Sequence, residues 1–187
     1  METMPGRSER PPSGGPIPDA APPAGVVIRP ARPADASAFR AHLAEVAGER
    51  RYIRTEEVRW RVREGRRRFR RSWAPNQAHL LALAGDAVIG SLSIVREEHP
   101  VTRHVAGLGM SVSRERRGKG VGSALLAEAF RWAQWAGIEK VALTVYPHND
   151  AAIALYRKFG FVEEGRLVGH SKKSYGYDDE IVMGRWL

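Results

Sequence analysis

Residues 112–123 read VSRERRGKGVGS and hold three glycines in alternating positions, Gly118, Gly120 and Gly122. The residues before them predict a strand, and the residues after them predict a helix. Glycine permits backbone dihedrals that point successive N–H groups the same way. The start of a helix adds unsatisfied amides and the positive end of the helix dipole. The stretch therefore predicts an anion-binding turn between a strand and a helix.

Two other glycine motifs do not fit this stretch. The dinucleotide fingerprint needs glycine or alanine where Ser123 stands, and no acidic ribose contact is evident downstream. The P-loop needs serine or threonine after Gly118-Lys119, where Gly120 stands, and glycine at the position of Ser113. The remaining alternative is a connecting turn without function. Three alternating glycines with four flanking cations make it the weaker interpretation.

Helices and strands are predicted on both sides of the turn. A helix that begins near Val121 and ends at Gly137 follows it directly. A helix after Pro33, with apolar residues at helical spacing up to Gly48, stands near the start of the chain. A second helix is predicted from Thr55, with Val58, Val62, Phe69 and Trp73 as its buried stripe and Pro75 as its stop. The other predicted elements are strands at 26–28, 79–84, 87–95, 103–112, 139–146, 161–168 and 177–186 and a helix at 150–159.

The first 25 residues differ in composition from the rest. They hold seven prolines and four glycines but almost no apolar pattern, so they cannot bury enough surface to offset the entropy of ordering. We predict a disordered leader over residues 1–25 and one domain over residues 26–187.

The composition excludes several kinds of site. The chain has 187 residues and no cysteine, which excludes disulfides, thiolate nucleophiles and cysteine-ligated zinc, and we predict no metal site. No stretch approaches the roughly 20 apolar residues of a membrane-spanning helix, and the N-terminus lacks the apolar core of a signal peptide. We therefore expect a cytoplasmic protein with no membrane partner. The formal charge of +9 favours anionic partners: nucleic acid, acidic protein or a polyphosphate cofactor.

The glycine turn and a second block resemble the GNAT superfamily of acetyltransferases. Residues 117–122, RGKGVG, match the family pattern R/Q-x-x-G-x-G/A. Residues 143–161 look like the family's second conserved block. The resemblance covers about residues 26–187 and is strongest over 108–164. It implies an α/β fold with a central, mostly antiparallel twisted sheet flanked by helices, and a splayed pair of parallel strands at the cofactor site.

The resemblance implies acetyl-CoA as the cofactor and a set of residues that hold it. The main-chain amides of residues 117–123 bind the pyrophosphate, Asn149 contacts the pantetheine arm, and Tyr156 protonates the departing thiolate. Helical spacing supports the last two, since Asn149 as N-cap places Tyr156 two turns along on nearly the same face, with the small Ala152 between them. The alternative is that Asn149 only caps and Tyr156 only packs. The predicted cofactor-binding residues are Met110, Val112, Arg117, Gly118, Lys119, Gly120, Val121, Gly122, Ser123, Asn149, Ala152 and Tyr156.

The implied reaction is direct transfer of an acetyl group from acetyl-CoA to a primary amine. The amine attacks the thioester carbonyl, a backbone N–H stabilises the oxyanion, and the thiolate leaves with a proton. The resemblance places the N–H donor in the strand before the turn, so Met110 is the predicted catalytic donor, with Gly109 and Ser111 as neighbours, and Tyr156 is the predicted acid. The base stays open, because the middle of that strand has no acidic residue. The candidate bases are His104, Glu97, Glu98 and residues 178–180, and Glu45 and Glu49 are candidates for lining the acceptor site.

Residues 59–71 hold eight arginines and one glutamate. They could form a polyanion surface, with Trp60, Phe69 and Trp73 available for stacking. The favoured interpretation is a solvated basic face above a buried stripe, because Phe69 and Trp73 are spaced i and i+4. The rival functions are a non-catalytic module that binds nucleic acid or an acidic partner, and an acetyl-CoA sensor.

The acceptor is left open between small amines, amino acids and peptide or protein amines. The net positive charge argues against a polyamine, which would favour an acidic pocket. Nucleic acid is the less favoured partner, and dimerisation through the last strands stays an open prediction.

Overall fold

A computed structural model describes residues 12–187. The strands are β1 (Val27–Pro30), β2 (Trp73–Ala74), β3 (Gln77–Ala84), β4 (Ala87–Arg96), β5 (Val105–Val112), β6 (Lys140–Val145), β7 (Val162–Lys173) and β8 (Gly176–Trp186). The helices are α1 (Ala36–Gly48), α2 (Val62–Arg68), α3 (Val121–Trp135) and α4 (Asp150–Lys158). Short 3-10 turns cover Pro33–Asp35, Phe69–Arg71 and Arg114–Arg116.

The strands form one eight-stranded sheet in the order β1-β3-β4-β5-β6-β8-β7, with β2 paired to β3. Every described pairing is antiparallel except that of β5 with β6. Gly85-Asp86 joins β3 to β4, as predicted for a hairpin. The predicted α/β class, with a mostly antiparallel sheet and one parallel pair, is confirmed.

Helices cover both faces of the sheet. The larger core cluster joins Leu108 of β5 to Leu125 of α3 and to Ile153 of α4. A smaller cluster on the opposite face contains Ala36 of α1 and Phe69, which follows α2. Side chains alternate between the faces of a strand, so α3 and α4 pack on one face of the sheet and α1 and α2 on the other.

The predicted helix from Thr55 is wrong in extent. The helix begins at Val62, and the chain leaves it before Trp73, which lies in β2 opposite Ala78 of β3. The i, i+4 spacing of Phe69 and Trp73 therefore does not place them on one face. Phe69 is buried, whereas Trp73 is 36% exposed and lies against exposed Trp135, with ring centroids 6.1 Å apart.

Trp60, which stands outside the predicted buried stripe, packs into the layer formed by α1 and α2. Its ring is stacked on Phe39 at 5.7 Å between centroids. A Cβ on Gly65 would stand 2.6 Å from the Trp60 ring, so α2 can lie this close only with glycine there. Trp60 is therefore part of the packing between α1 and α2.

The predicted leader falls partly outside the described residues, which exclude 1–11. Within 12–25, the Gly14 N–H donates to the Trp186 carbonyl at 2.9 Å, and Ile17 and Ala20 pack against the larger core cluster. The buried Arg185 donates to the carbonyl of Gly15 at 2.5 Å. The domain boundary at residue 26 stays a prediction. Over residues 12–187, no helix combines the length and the apolar character that crossing a bilayer requires.

Candidate active site

A gap opens in the sheet between β5 and β6. The two strands pair only at their starts, where Val105, Ala106 and Gly107 lie opposite residues 140–142. Beyond Gly107 the second half of β5 has β4 as its partner on one side and no described strand partner on the other. The backbone groups on the open side of β5 therefore face the gap.

Met110 directs its backbone N–H into this gap. In an antiparallel ladder, every second residue points its N–H and C=O toward the same neighbour. The Ser113 N–H donates to Ile89 at 3.0 Å and the Val105 carbonyl accepts from Glu97 at 2.9 Å, so odd-numbered residues of β5 bond toward β4. Even-numbered residues bond the other way. This register removes the N–H groups of Gly109 and Ser111 from the predicted donor set and leaves that of Met110.

The glycine turn has the backbone conformation that its sequence predicts. Gly118 and Gly120 have φ of +70° and +84°, in the left-handed region that favours glycine. Gly120 is the N-cap of α3, and the Ala124 N–H donates to its carbonyl at 3.0 Å. The backbone amides of residues 118–123 donate none of the hydrogen bonds described for this turn. The first amide of α3 that donates one is that of Ala124. These amides fit an anion, and the positive end of the α3 dipole lies beside them.

Gly122 allows α3 and α4 to approach each other beside Met110. A Cβ on Gly122 would stand 3.0 Å from Leu155 Cδ2 and 3.5 Å from Met110 Cε. The last residues of β5 and the starts of α3 and α4 therefore converge on one side of the gap.

The side chain of Arg117 turns away from the glycines. Its guanidinium donates to Glu49 at 2.8 Å and to the Val112 carbonyl at 3.0 Å, and it lies 4.8 Å from the ring centroid of Tyr52. The Glu49 carboxylate raises the pKa of Arg117, which stays charged. Arg117 thus links the glycine turn to the end of α1. Its backbone N–H donates to the Arg114 carbonyl at 3.4 Å.

Asn149 is the N-cap of α4, and its Oδ1 accepts a hydrogen bond from the Ala152 N–H at 3.3 Å. The cap uses only the oxygen. Within residues 12–187 the Asn149 side-chain NH₂ has no hydrogen bond to protein. Asn149 can therefore cap the helix and still donate to a ligand.

Tyr156 of α4 has a buried ring and a reachable hydroxyl. The residue is 6% exposed and packs edge-on against Phe161 at 5.6 Å between centroids. In the described chain the hydroxyl has no hydrogen-bond partner, and it is not among the fully buried unpaired polar atoms, so its oxygen borders open space. Burial raises the pKa of Tyr156 to about 12. The hydroxyl therefore keeps its proton at neutral pH.

A buried polar cluster that the sequence did not predict lies on the opposite face. His42 of α1 is 2% exposed and bonds both ring nitrogens to serines of β5, Nδ1 to Ser113 at 3.0 Å and Nε2 to Ser111 at 2.9 Å. The sequence contains a signal for the burial of His42, because this residue stands one turn before the apolar Val46 on the inward face of α1. Burial, aided by Arg117 and opposed by Glu45, lowers the pKa of His42 to about 4. The imidazole is therefore neutral.

A second polar cluster closes the far side of the gap. Arg54 donates to Glu180 of β8 at 2.8 Å and to the Thr144 hydroxyl of β6 at 3.1 Å. Glu180 is 1% exposed and accepts from Ser171 at 2.5 Å. Burial opposes its ionisation, but Arg54, Ser171 and Thr144 lower the pKa of Glu180 to about 2. A carboxylate held this strongly in its charged form is a poor proton acceptor.

The structure separates most of the predicted bases from the gap. His104 stacks on Trp186 at 6.0 Å between centroids, at the far end of β5. Glu97 and Glu98 lie in the exposed turn before β5. Asp179 accepts from Arg166 and from the Gly169 N–H. Glu45 and Glu49, in contrast, lie at the gap side of α1.

A cavity of about 420 Å³ lies at the end of α1. It is lined by Glu49, Arg50, Arg51, His148, Tyr175 and Asp178. Glu49 bonds to Arg117 of the glycine turn, and His148 directly precedes Asn149, so the cavity borders both elements. A cavity of about 410 Å³ elsewhere lies against residues 15–19 and the second half of α3, away from the glycine turn.

Comparison with known proteins agrees with this geometry. The family model described as the acetyltransferase (GNAT) family matches residues 45–161. The chain belongs to the GNAT family. The L-amino acid N-acetyltransferase AaaT of Escherichia coli is 32% identical to this GNAT protein over 112 residues, 59% of this chain and 69% of that protein.

Solved structures share the fold over most of their length. A GNAT acetyltransferase from Streptococcus pneumoniae superposes with a TM-score of 0.81 at 30% identity, over 87% of this chain and 99% of that one. A phosphinothricin acetyltransferase from Sinorhizobium meliloti, solved in complex with AcCoA, has a TM-score of 0.77 at 24% identity over 87% and 89%. Family membership makes this GNAT protein an acyltransferase that uses acetyl-CoA, as predicted. The two rival functions of the whole protein, a non-catalytic binding module and an acetyl-CoA sensor, are thereby set aside.

Proposed function

We propose that this GNAT enzyme acetylates the amino group of a small zwitterion, a free amino acid or a molecule built like one. The observation that carries the proposal is the 420 Å³ cavity at the end of α1. Its lining residues include two arginines, Arg50 and Arg51, and two acids, Glu49, which pairs with Arg117, and Asp178, which accepts from the Tyr175 hydroxyl. Opposite charges in one small cavity complement an α-carboxylate and an α-ammonium group. A polyamine would favour carboxylates alone.

The similarity to the L-amino acid N-acetyltransferase of Escherichia coli supports an acceptor of this class. The cavity is open to solvent, and its volume lies within the range of roughly 300–1,000 Å³ found for small-molecule sites. A peptide N-terminus lacks a carboxylate next to its amine, so the arginines of the cavity would have no partner there.

For the donor, we propose that the main-chain amides from Gly118 to Ser123 hold the pyrophosphate of acetyl-CoA, since the Arg117 amide of the predicted set already donates to Arg114. Support comes from the positive φ of Gly118 and Gly120 and from the free amides at the start of α3. Val112, Ala152 and the Asn149 side-chain NH₂ would line the pantetheine arm, since they stand where β5 ends and α4 begins. Acetyl-CoA supplies the thioester that the amine attacks.

Met110 and Tyr156 would act on the two atoms that gain negative charge. The Met110 N–H, directed into the gap, would donate to the carbonyl oxygen as charge develops on it. The Tyr156 hydroxyl, whose pKa is about 12, would give its proton to the leaving sulfur. Tyr156 lies on the α3–α4 face, where the cofactor elements also lie.

An acceptor screen tests the zwitterion. Thiol release from acetyl-CoA is measured with free amino acids, with the matching amino acid amides and methyl esters, and with polyamines. We expect kcat/KM for free amino acids to exceed that for their amides by at least about tenfold, since one charge-assisted hydrogen bond contributes about 1.5–3 kcal/mol.

A pair of variants locates the preference in the cavity. We expect Arg51→Gln to reduce the preference for the free carboxylate, whereas Arg59→Gln, an exposed arginine paired with Glu57 at 3.0 Å, should leave it unchanged. Equal rates with amino acids and amides, or higher rates with polyamines, would contradict the zwitterion and leave acetyl transfer itself intact.

A further inference from the structure

Hydrogen bonds connect α1 to β4 and β5 in one continuous chain on the acceptor side of the gap. Ser91 Oγ lies 2.9 Å from Ser111 Oγ, and Ser111 Oγ lies 2.9 Å from His42 Nε2. His42 Nδ1 lies 3.0 Å from Ser113 Oγ, which donates to Glu45 Oε2 at 3.1 Å. The chain thus runs from the partly exposed Ser91 of β4, through Ser111 of β5 and the buried imidazole of His42, to the Glu45 carboxylate.

The direction of every bond in this chain follows from its carboxylate end. Ionised Glu45 can only accept, so the single hydroxyl proton of Ser113 is used there. Nδ1 of His42 must then donate to Ser113, which leaves Nε2 of the neutral ring as an acceptor. Ser111 must donate to Nε2, and Ser91 must donate to Ser111. All protons therefore point toward Glu45, which is the arrangement that a serine has when a histidine and an acid polarise it.

Ser111 lies where the amine must approach. It follows Met110 directly, and adjacent Cα atoms are about 3.8 Å apart. The Met110 N–H points into the gap, and the elements that fit the cofactor, α3 and α4, lie on the other face. An amine therefore reaches the gap from the α1 face, which is the face that carries the Ser111 hydroxyl.

We propose that Ser111 is the catalytic group that takes the proton from the attacking amine, and that His42, Ser113 and Glu45 are positioning residues that pass this proton outward. The ammonium group first loses one proton to water, because only the neutral amine can attack. As the nitrogen bonds to the thioester carbon, one of its remaining protons moves to Ser111 Oγ and the Ser111 proton moves to His42 Nε2. The Nδ1 proton moves to Ser113, and the Ser113 proton moves to Glu45. The carbon–sulfur bond breaks as sulfur takes the Tyr156 proton. Glu45 then releases a proton to water, and Tyr156 regains one from water. Rotation of the imidazole and of the two serine hydroxyls restores the starting arrangement.

The burial of the inner residues and the exposure of Glu45 favour proton movement from Ser111 toward Glu45. His42 and Ser113 are buried, so no water competes for their bonds, whereas Glu45 is exposed and can exchange its proton with solvent. With a pKa of about 4, His42 stays neutral and can accept at Nε2 while it donates at Nδ1. The middle of β5 has no acidic residue that could act as the general base, and the relay supplies a base in its place.

The relay rests on the proposed acetyl transfer to an amine, whichever amine is preferred, and two variants test it. Ser111→Ala removes the group that meets the amine. His42→Gln keeps a side chain that can hydrogen bond to both serines but cannot relay a proton. We expect each to lower kcat about 100-fold, the lower end of the range for general base catalysis, with the Kd for acetyl-CoA and the melting temperature close to wild type. Ser93→Ala, on the same face of β4 and outside the chain of bonds, is the control with unchanged kcat.

A proton inventory separates relay from packing. In mixtures of H₂O and D₂O, we expect kcat of the wild-type enzyme to depend on the deuterium fraction with a curve that requires more than one moving proton, and that of His42→Gln to become linear. Unchanged kcat in folded variants, or a lower kcat with the same curve, would overturn the relay. Absence of transfer by the wild-type protein would contradict the proposed function together with the relay, whereas wild-type transfer with unaffected variants would contradict the relay alone.

Discussion

Replacing Gly120 with aspartate is expected to weaken the binding of coenzyme A at least about 100-fold. Gly120 has a φ of +84° and caps α3, so an aspartate there is strained and places its carboxylate among the amides that we assign to the pyrophosphate. Loss of two charge-assisted hydrogen bonds costs at least roughly 3 kcal/mol, which is about a 100-fold change in Kd. Isothermal titration of wild type and variant with coenzyme A measures the change.

The matched control for Gly120→Asp lies at the other end of the same helix. Gly137 has a φ of +67°, and a Cβ there would meet nothing within 4 Å. Gly137→Asp therefore introduces the same charge and a similar backbone strain without touching the proposed phosphate site. We expect it to bind coenzyme A like the wild type. Equal affinity of the wild type and the Gly120 variant would remove the glycine turn from the cofactor site.

The second large effect is expected from Tyr156→Phe. The substitution removes only the hydroxyl, and the ring can keep its packing against Phe161. A missing general acid costs about 100-fold at the lower end of the usual range, so we expect kcat to fall by about that factor while the Kd for acetyl-CoA changes less than about twofold. Single-turnover acetyl transfer at saturating acetyl-CoA measures the step.

The pH dependence and a control distinguish a proton donor from a packing residue. Because the pKa of Tyr156 is raised to about 12, its loss of a proton should not lower kcat of the wild type below about pH 11. Tyr177→Phe, an exposed tyrosine of β8, should leave kcat unchanged. If Tyr156→Phe and the wild type turn over at equal rates, Tyr156 has no part in proton transfer.

The glycine turn was predictable because its conformation follows from local sequence. Gly118 and Gly120 adopt the positive φ that the alternating glycines predict, and α3 begins at Val121 as expected. The β3–β4 hairpin and α4 with its Asn149 cap also follow from turn and capping preferences within a few residues. Local patterns of this kind placed the residues that we assign to the cofactor.

The acceptor side could not be predicted in the same way, because it depends on contacts distant in sequence. His42 meets Ser111 and Ser113 across about 70 residues, and Arg54 meets Glu180 across 126. The i, i+4 spacing of Phe69 and Trp73 predicts a helix stripe, but pairing of β2 with β3 takes Trp73 out of the helix. Helical spacing predicts that Trp73 is buried with Phe69. Its actual position depends on strand pairing, which a local sequence pattern does not contain.

Calorimetric titration of the purified protein with acetyl-CoA is the most direct test of the cofactor site. Backbone amides at the start of α3, in a protein of this family, should bind the donor with a Kd in the micromolar range, and saturating donor should raise the melting temperature. No heat of binding and no thermal stabilisation at about 1 mM acetyl-CoA would mean a Kd weaker than that concentration. That result would contradict the account.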